Sequence, residues 1–194
     1  MGDGRLDLLV RACWPDLVRT GYLLTGSLPA AEDLARDALR RQLRGSRDPV
    51  PETELRDAVV REAFRRRALY AAGSAPFAEQ GGSAAVLRQL PLDERAVLVL
   101  RHREGLSVEQ VVNVLHVPAG VVREREDRAV RTTAALQTGP DALRALLAAA
   151  ADTVTPSAPP DLDSLLETAQ GRRVLVLGLV ALAVALLAVA RWLL

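Results

Sequence analysis

The stretch that decides the fold is residues 105–136, GLSVEQVVNVLHVPAGVVREREDRAVRTTAAL. Ser107-Val108-Glu109-Gln110 has the form of a capping box, with a hydroxyl at the cap and an amide three residues later. A short helix is expected from there to Leu115, a tight turn at His116-Val117, and a longer helix from Pro118. His116 falls where a left-handed backbone suits the turn; glycine is the usual choice, and histidine is among the tolerated exceptions. Helix, tight turn and longer helix together spell a helix-turn-helix.

Upstream the pattern remains helical. Pro91 opens a helix expected to reach Arg103, with Gly105 as its stop, and residues 84–90 form another. Residues 73–83 hold three Gly, two Ser and one Pro, the composition of a flexible linker. Ahead of it, Leu9, Ala12, Cys13, Leu17, Gly21 and Leu24 recur at three- and four-residue spacing, as on one face of a helix. Pro15 predicts a kink or break after Trp14, because its ring removes a helical hydrogen bond. Thr25-Gly26-Ser27 closes that helix. Pro29 suits the first turn of the next, which runs to about Arg44 and buries Ala31, Leu34, Ala35, Ala38 and Leu39. A third helix, from about Glu52, carries Leu55, Val59, Ala63 and Phe64 and ends in Arg65-Arg66-Arg67.

The tail differs in kind. The run that begins at Val174 and ends at Ala190 contains no charged or polar side chain, and Arg172-Arg173 stands just before it. Its length, roughly 25 Å at about 1.5 Å per residue, approaches a bilayer's hydrocarbon thickness once residues 192–194 are added. A transmembrane helix is expected, with the two arginines on the inner side. No basic-then-apolar secretory signal opens the chain, so the body is expected in the cytoplasm, at the inner face of the cytoplasmic membrane, with a single pass. Residues 141–151 suit one short helix, and 153–160, with three Pro, an extended spacer. The expected fold class is therefore all-α. Residues 1–72 and 84–137 are two small helical domains joined by the linker at 73–83, the second a helix-turn-helix. Residues 138–171 form a short helix and spacer, and 172–194 the anchor.

Charge narrows the functions. The net charge of +1 is spread evenly: residues 1–70 carry 13 Arg against 11 acids, and residues 71–137 carry 8 of each. Neither half has the positive excess of a non-specific nucleic-acid binder, so contacts to DNA must come from local placement of arginine. Cys13 is the only cysteine, which excludes an intramolecular disulfide, and its apolar stripe marks a buried, inert thiol. His102 and His116 lack partners at metal-ligand spacing, so no metal and no cofactor is expected. No phosphate-cradling glycine loop or nucleophile with a histidine partner is present, so an enzyme is not expected.

Two segments resemble a known family. Tyr22-Leu23-Leu24-Thr25-Gly26 followed by Ala31-Glu32-Asp33-Leu34-Ala35-Arg36-Asp37-Ala38-Leu39 resembles the second region of extracytoplasmic-function sigma factors of the sigma-70 family, in an actinobacterial style. Residues 90–101, beginning Leu90-Pro91-Leu92-Asp93-Glu94-Arg95, together with the helix-turn-helix, resemble the fourth region. The resemblance implies core RNA polymerase and promoter DNA as partners, with an anti-sigma factor as a further one; the membrane is expected as a partner from the apolar tail. It places polymerase contacts at Asp33, Arg36 and Asp37. Arg65, Arg66 and Arg67 would contact phosphates beside the upstream promoter element, positioning without reading sequence. The second helix of the helix-turn-helix would enter the major groove, with Ser107, Pro118, Val121, Arg123, Glu124, Arg125 and Arg128 at the interface.

The helix from Pro118 to Arg131 departs from the family in carrying four Arg against three acids, so its pull on DNA is slight. Glu126 falls between Val122 and Val130 on the stripe expected to pack inward, where a carboxylate must reach solvent or find an arginine. On a degenerate reading, Glu126→Leu is expected to raise stability. The function expected is thus a membrane-tethered sigma factor for transcription initiation. Its alternative is a degenerate sigma-like membrane adaptor, or sequestering regulator, that no longer reads DNA.

Overall fold

The computed structural model describes residues 3–45, 50–67, 83–133, 140–161 and 164–165, and every regular element among them is helical. In chain order these are α1 (Asp3–Thr25), α2 (Leu28–Gly45), α3 (Glu52–Arg65), α4 (Ser83–Arg88), α5 (Leu92–Leu98), α6 (Val108–Leu115), α7 (Ala119–Thr133) and α8 (Pro140–Asp152). Among the described residues no helix is long and apolar enough to cross a membrane. The expected span from Val174 to Ala190, and residues 73–82 of the expected linker, lie outside the described residues.

Of the kink or break expected at Pro15, the break does not occur: α1 runs through it. Pro15 lacks the N–H that would bond back to residue 11, a loss of about 3 kcal/mol in an isolated helix. Around it Trp14, Leu17 and Val18 are wholly buried, and their packing against α2 and α3 holds the helix together. The end of α1 is as expected. Gly26 adopts φ 73°, and its N–H donates to the Tyr22 carbonyl at 2.7 Å. The Thr25 hydroxyl donates to the Gly21 carbonyl at 2.9 Å. The five positions expected to be buried on α2, Ala31, Leu34, Ala35, Ala38 and Leu39, are all in the core.

A second difference lies at the end of α5. A single α-helix to Arg103 was the expectation; instead Val99–Arg103 widens into one π-helical turn, closed by the Glu104 N–H donating to the Val99 carbonyl at 3.0 Å. Gly105, at φ 70°, then ends it. Val99 and Leu100 stay buried through this turn. Arg101 and His102 meet α7, while Arg103 and Glu104 meet α1 and α3. One turn of chain therefore faces both halves of the protein.

Those halves share a single core. Helices α1, α2 and α3 pack as one bundle; α5 and the π turn lie against α1, and α6 lies against α3. Helix α8 bridges α1, α4 and the π turn. At the junction Arg56 on α3 pairs with Asp16 on α1 at 2.9 Å and with Glu104 at 3.1 Å, while Arg103 pairs with Asp16 at 3.1 Å. Burial pushes the Glu104 carboxyl above its ordinary value, against the pull of Arg56 and Arg103. Burial likewise pushes the Cys13 thiol up to about 11, in keeping with an inert core cysteine.

Gly21 marks the closest approach of α1 and α2. A Cβ there would lie 3.0 Å from the Ala31 carbonyl oxygen and 3.1 Å from its Cα, both backbone atoms. Gly21→Ala is therefore expected to destabilise the fold by about 1–3 kcal/mol, outweighing alanine's better helix propensity. Gly120 on α7 has nothing within 4 Å of that position, so Gly120→Ala should stabilise by up to about 1 kcal/mol. Thermal melts of the two variants should move in opposite directions.

Candidate nucleic-acid interface

The capping box expected at α6 is complete. The Gln110 N–H donates to the Ser107 hydroxyl at 3.2 Å, and the Ser107 N–H donates to the Gln110 side-chain oxygen at 2.7 Å. At the other end His116 adopts φ 54°, ψ 43°, a left-handed residue whose N–H donates to the Val112 carbonyl at 2.8 Å. Helix α7 then starts from Pro118, whose carbonyl accepts from the Val121 and Val122 N–H groups at 2.9 and 3.1 Å. Helix α6 buries Val111, Val114 and Leu115, and α7 buries Val122, Ala129 and Thr133. These two apolar faces set the angle at which α7 is presented.

Val130 is 39% exposed, contrary to its expected place on the inward stripe. The inward face is Val122, Ala129 and Thr133, which leaves Glu126 at its edge. There Glu126 finds partners: Arg101 at 3.1 Å and His102 Nε2 at 3.0 Å. Burial holds His102 below its ordinary imidazole value, and Glu126 offsets only part of that. The Glu126 carboxylate thus serves to tie α7 to the π turn.

The outward face of α7 exposes Arg123, Glu124, Asp127, Arg128 and Arg131. Arg123 carries no ion pair among the described residues, whereas Arg128 pairs with Glu124 at 2.6 Å and approaches Glu94 at 3.5 Å. Arg125 and Val121 are half-buried, and Arg125 pairs with Asp93 at 2.6 Å. Ser107 is committed to its cap, and Pro118 is exposed at the turn. Of the arginine triplet, Arg65 pairs with Glu62 at 2.7 Å. Arg66 pairs with Glu62 at 2.8 Å and also with Asp37, while Arg67 lies over the Phe64 ring at 5.6 Å.

The two sets of arginines are neighbours. Phe64 is approached by Arg67 from just past the end of α3 and by Arg125 from α7, each 5.6 Å from the ring centroid. Beside it an open cleft of about 620 Å³ separates α2 and α3 from the α6–α7 turn. Arg41, Arg61, Arg65 and Arg67 line it with His116, and among the described residues no carboxylate does. Sequence spacing had no means of finding this cleft, because its walls are more than 45 residues apart in the chain. The residues expected to meet polymerase are partly occupied too. Arg36 pairs with Asp33 at 2.9 Å and Glu32 at 3.1 Å. Burial alone would raise the Asp37 carboxyl, but Arg66 and Arg40 bring it below its ordinary value.

Three measurements test this geometry. Glu126→Leu should lower stability by about 1–3 kcal/mol, the reverse of the sequence expectation, because it leaves Arg101 and His102 without their carboxylate. His116→Gly should raise stability by about 1 kcal/mol by removing a left-handed non-glycine residue. Folded His102 binds its proton less readily than the unfolded chain does. Its contribution is therefore full above 6.5 and lost as pH falls through its lower folded value. His102→Gln should remove that part of the decline in melting temperature.

No curated protein and no solved structure matches the chain. The family model described as Sigma-70, region 4, matches residues 86–132, less than half of the chain. The match covers the second half of α4, all of α5, the π turn and α6, and α7 to its penultimate residue. The chain thus carries a sigma-70 region 4 helix-turn-helix, and this supports its place among sigma-70 family members.

Proposed function

We propose that the chain is a sigma factor for transcription initiation that binds core RNA polymerase and promoter DNA and is tethered to the membrane by its tail. The observation that carries the reading is the region 4 match lying on a helix-turn-helix whose first helix is capped at both ends. A helix presented on such a scaffold suits the major groove, with Arg123 placed to bond a guanine edge. The three-helix bundle of α1–α3 is read as the second region, of the extracytoplasmic-function kind. Its α2 face would then meet polymerase, and the basic cleft beside Phe64 would take the phosphates of the upstream promoter element. The protein supplies binding energy and specificity and performs no chemistry itself. The apolar run at 174–190 supports the tether by length and composition alone.

One observation favours the alternative of a degenerate adaptor. Arg125 and Arg128 on α7 are already paired with Asp93 and Glu124, so DNA phosphate must displace a carboxylate to reach them. That exchange lowers the net electrostatic gain and makes binding by the isolated chain weak.

The test is transcription in vitro with the full chain, core polymerase and genomic promoter fragments. A sigma factor gives initiation at discrete start sites. Arg123→Ala should reduce binding to such a promoter by about tenfold, within the roughly 1–3 kcal/mol range of a good base contact. Stable polymerase binding without initiation at any promoter selects the adaptor.

A further inference from the structure

Residues 153–161 leave α8 as an extended segment with prolines at 156, 159 and 160. A spacer of this kind needs no partners, since a proline-rich stretch is stiff and well solvated by itself. This one is held along its length. Val154 is 6% exposed and Leu165 is fully buried, so an apolar side chain pins each end. Between them the Trp14 indole N–H donates to the Ser157 carbonyl at 2.9 Å. The Ser157 N–H in turn donates to the Glu32 carboxylate at 2.8 Å. Both backbone polar groups of one residue are thus taken by side chains from α1 and α2, and Asp161 lies 3.6 Å from Arg11.

The receiving shoulder is built for this. Arg36 lies over the Trp14 ring at 5.6 Å while it pairs with Glu32, which fixes both side chains that grip Ser157. Burial would raise the Glu32 carboxyl, but Ser157 and Arg36 bring it below its ordinary value, so a charged acceptor faces the N–H at neutral pH. The side chains used are Glu32 and Arg36, on the same helix as Asp33 and Asp37. A segment linked to the body by its own chain acts at an effective concentration near the millimolar range, so a few such contacts suffice to keep it seated.

We propose that residues 153–161 are an intramolecular strap, pinned by Val154 and Leu165, that competes with polymerase for the α1–α2 shoulder. Freeing the strap makes the chain competent to bind. The seating is a matter of this fold; the competition rests on the polymerase reading of α2 given above. In sequence the strap lies between the helical body and the apolar run at 174–190.

The experiment uses the full chain in detergent with Trp192→Phe, which leaves Trp14 as the only tryptophan. Ser157→Pro removes the N–H that Glu32 accepts, and Leu165→Asp expels the far pin; neither changes a residue of α1 or α2. In each variant Trp14 emission should shift to the red, acrylamide quenching should rise several-fold, and affinity for core polymerase should increase by about tenfold. Emission and quenching equal to the parent in both folded variants would overturn the strap. Release by fluorescence with unchanged polymerase affinity would overturn the competition and leave the polymerase reading standing. Release with no polymerase binding by parent or variants would overturn that reading, and the competition with it.

Discussion

Arg56 holds the structure's one decisive junction. Its guanidinium meets Asp16 of α1, Glu52 of its own helix and Glu104 at the end of the π turn, so three segments converge on one side chain. The apolar core supplies the driving force for folding, since it runs without interruption from Val10 to Leu165. The ion pairs contribute less to net stability, because their desolvation offsets much of their attraction. Their contribution is register. They decide how the helix-turn-helix sits on the α1–α3 bundle, and with it where the basic cleft opens and how α7 is presented.

That junction also explains why arginines expected at DNA are found against carboxylates. Bringing α7 beside α3 places Arg125 over Phe64 and next to Asp93, and leaves Arg67 on the other side of the same ring. Of the arginines expected at DNA, Arg65, Arg66, Arg125 and Arg128 each have an acid within reach, and the closed arrangement uses those acids. On the proposed reading, binding to promoter and polymerase becomes an exchange of partners whose outcome is set by differences between similar contacts.

Local signals were legible in the sequence and distant ones were not. The capping box at Ser107–Gln110, the left-handed His116 and the stop at Gly26 are each dictated by a few adjacent residues, and each stands where the residues imply. Pro15 misled because its cost is local, while the packing of Trp14, Leu17 and Val18 that outweighs it comes from other helices. The π turn at Val99–Arg103 has no signature in composition; it arises because Arg103 and Glu104 have partners on α1 and α3. Val130 was misplaced through a choice between two adjacent stripes of α7 that only the packing against α5 and α6 decides. Ser157, 125 residues from Glu32 in the chain, could be read only as spacer.

The most direct test of the central claim is a distance across the junction. Spin labels at Leu8 on α1, 68% exposed, and at the exposed Arg131 on α7 report it, with buried Cys13 too unreactive to interfere. In the full chain, alone, one narrow distance distribution is predicted, which Arg56→Ala broadens and lengthens. A broad distribution in the parent, unchanged by Arg56→Ala, would contradict the account.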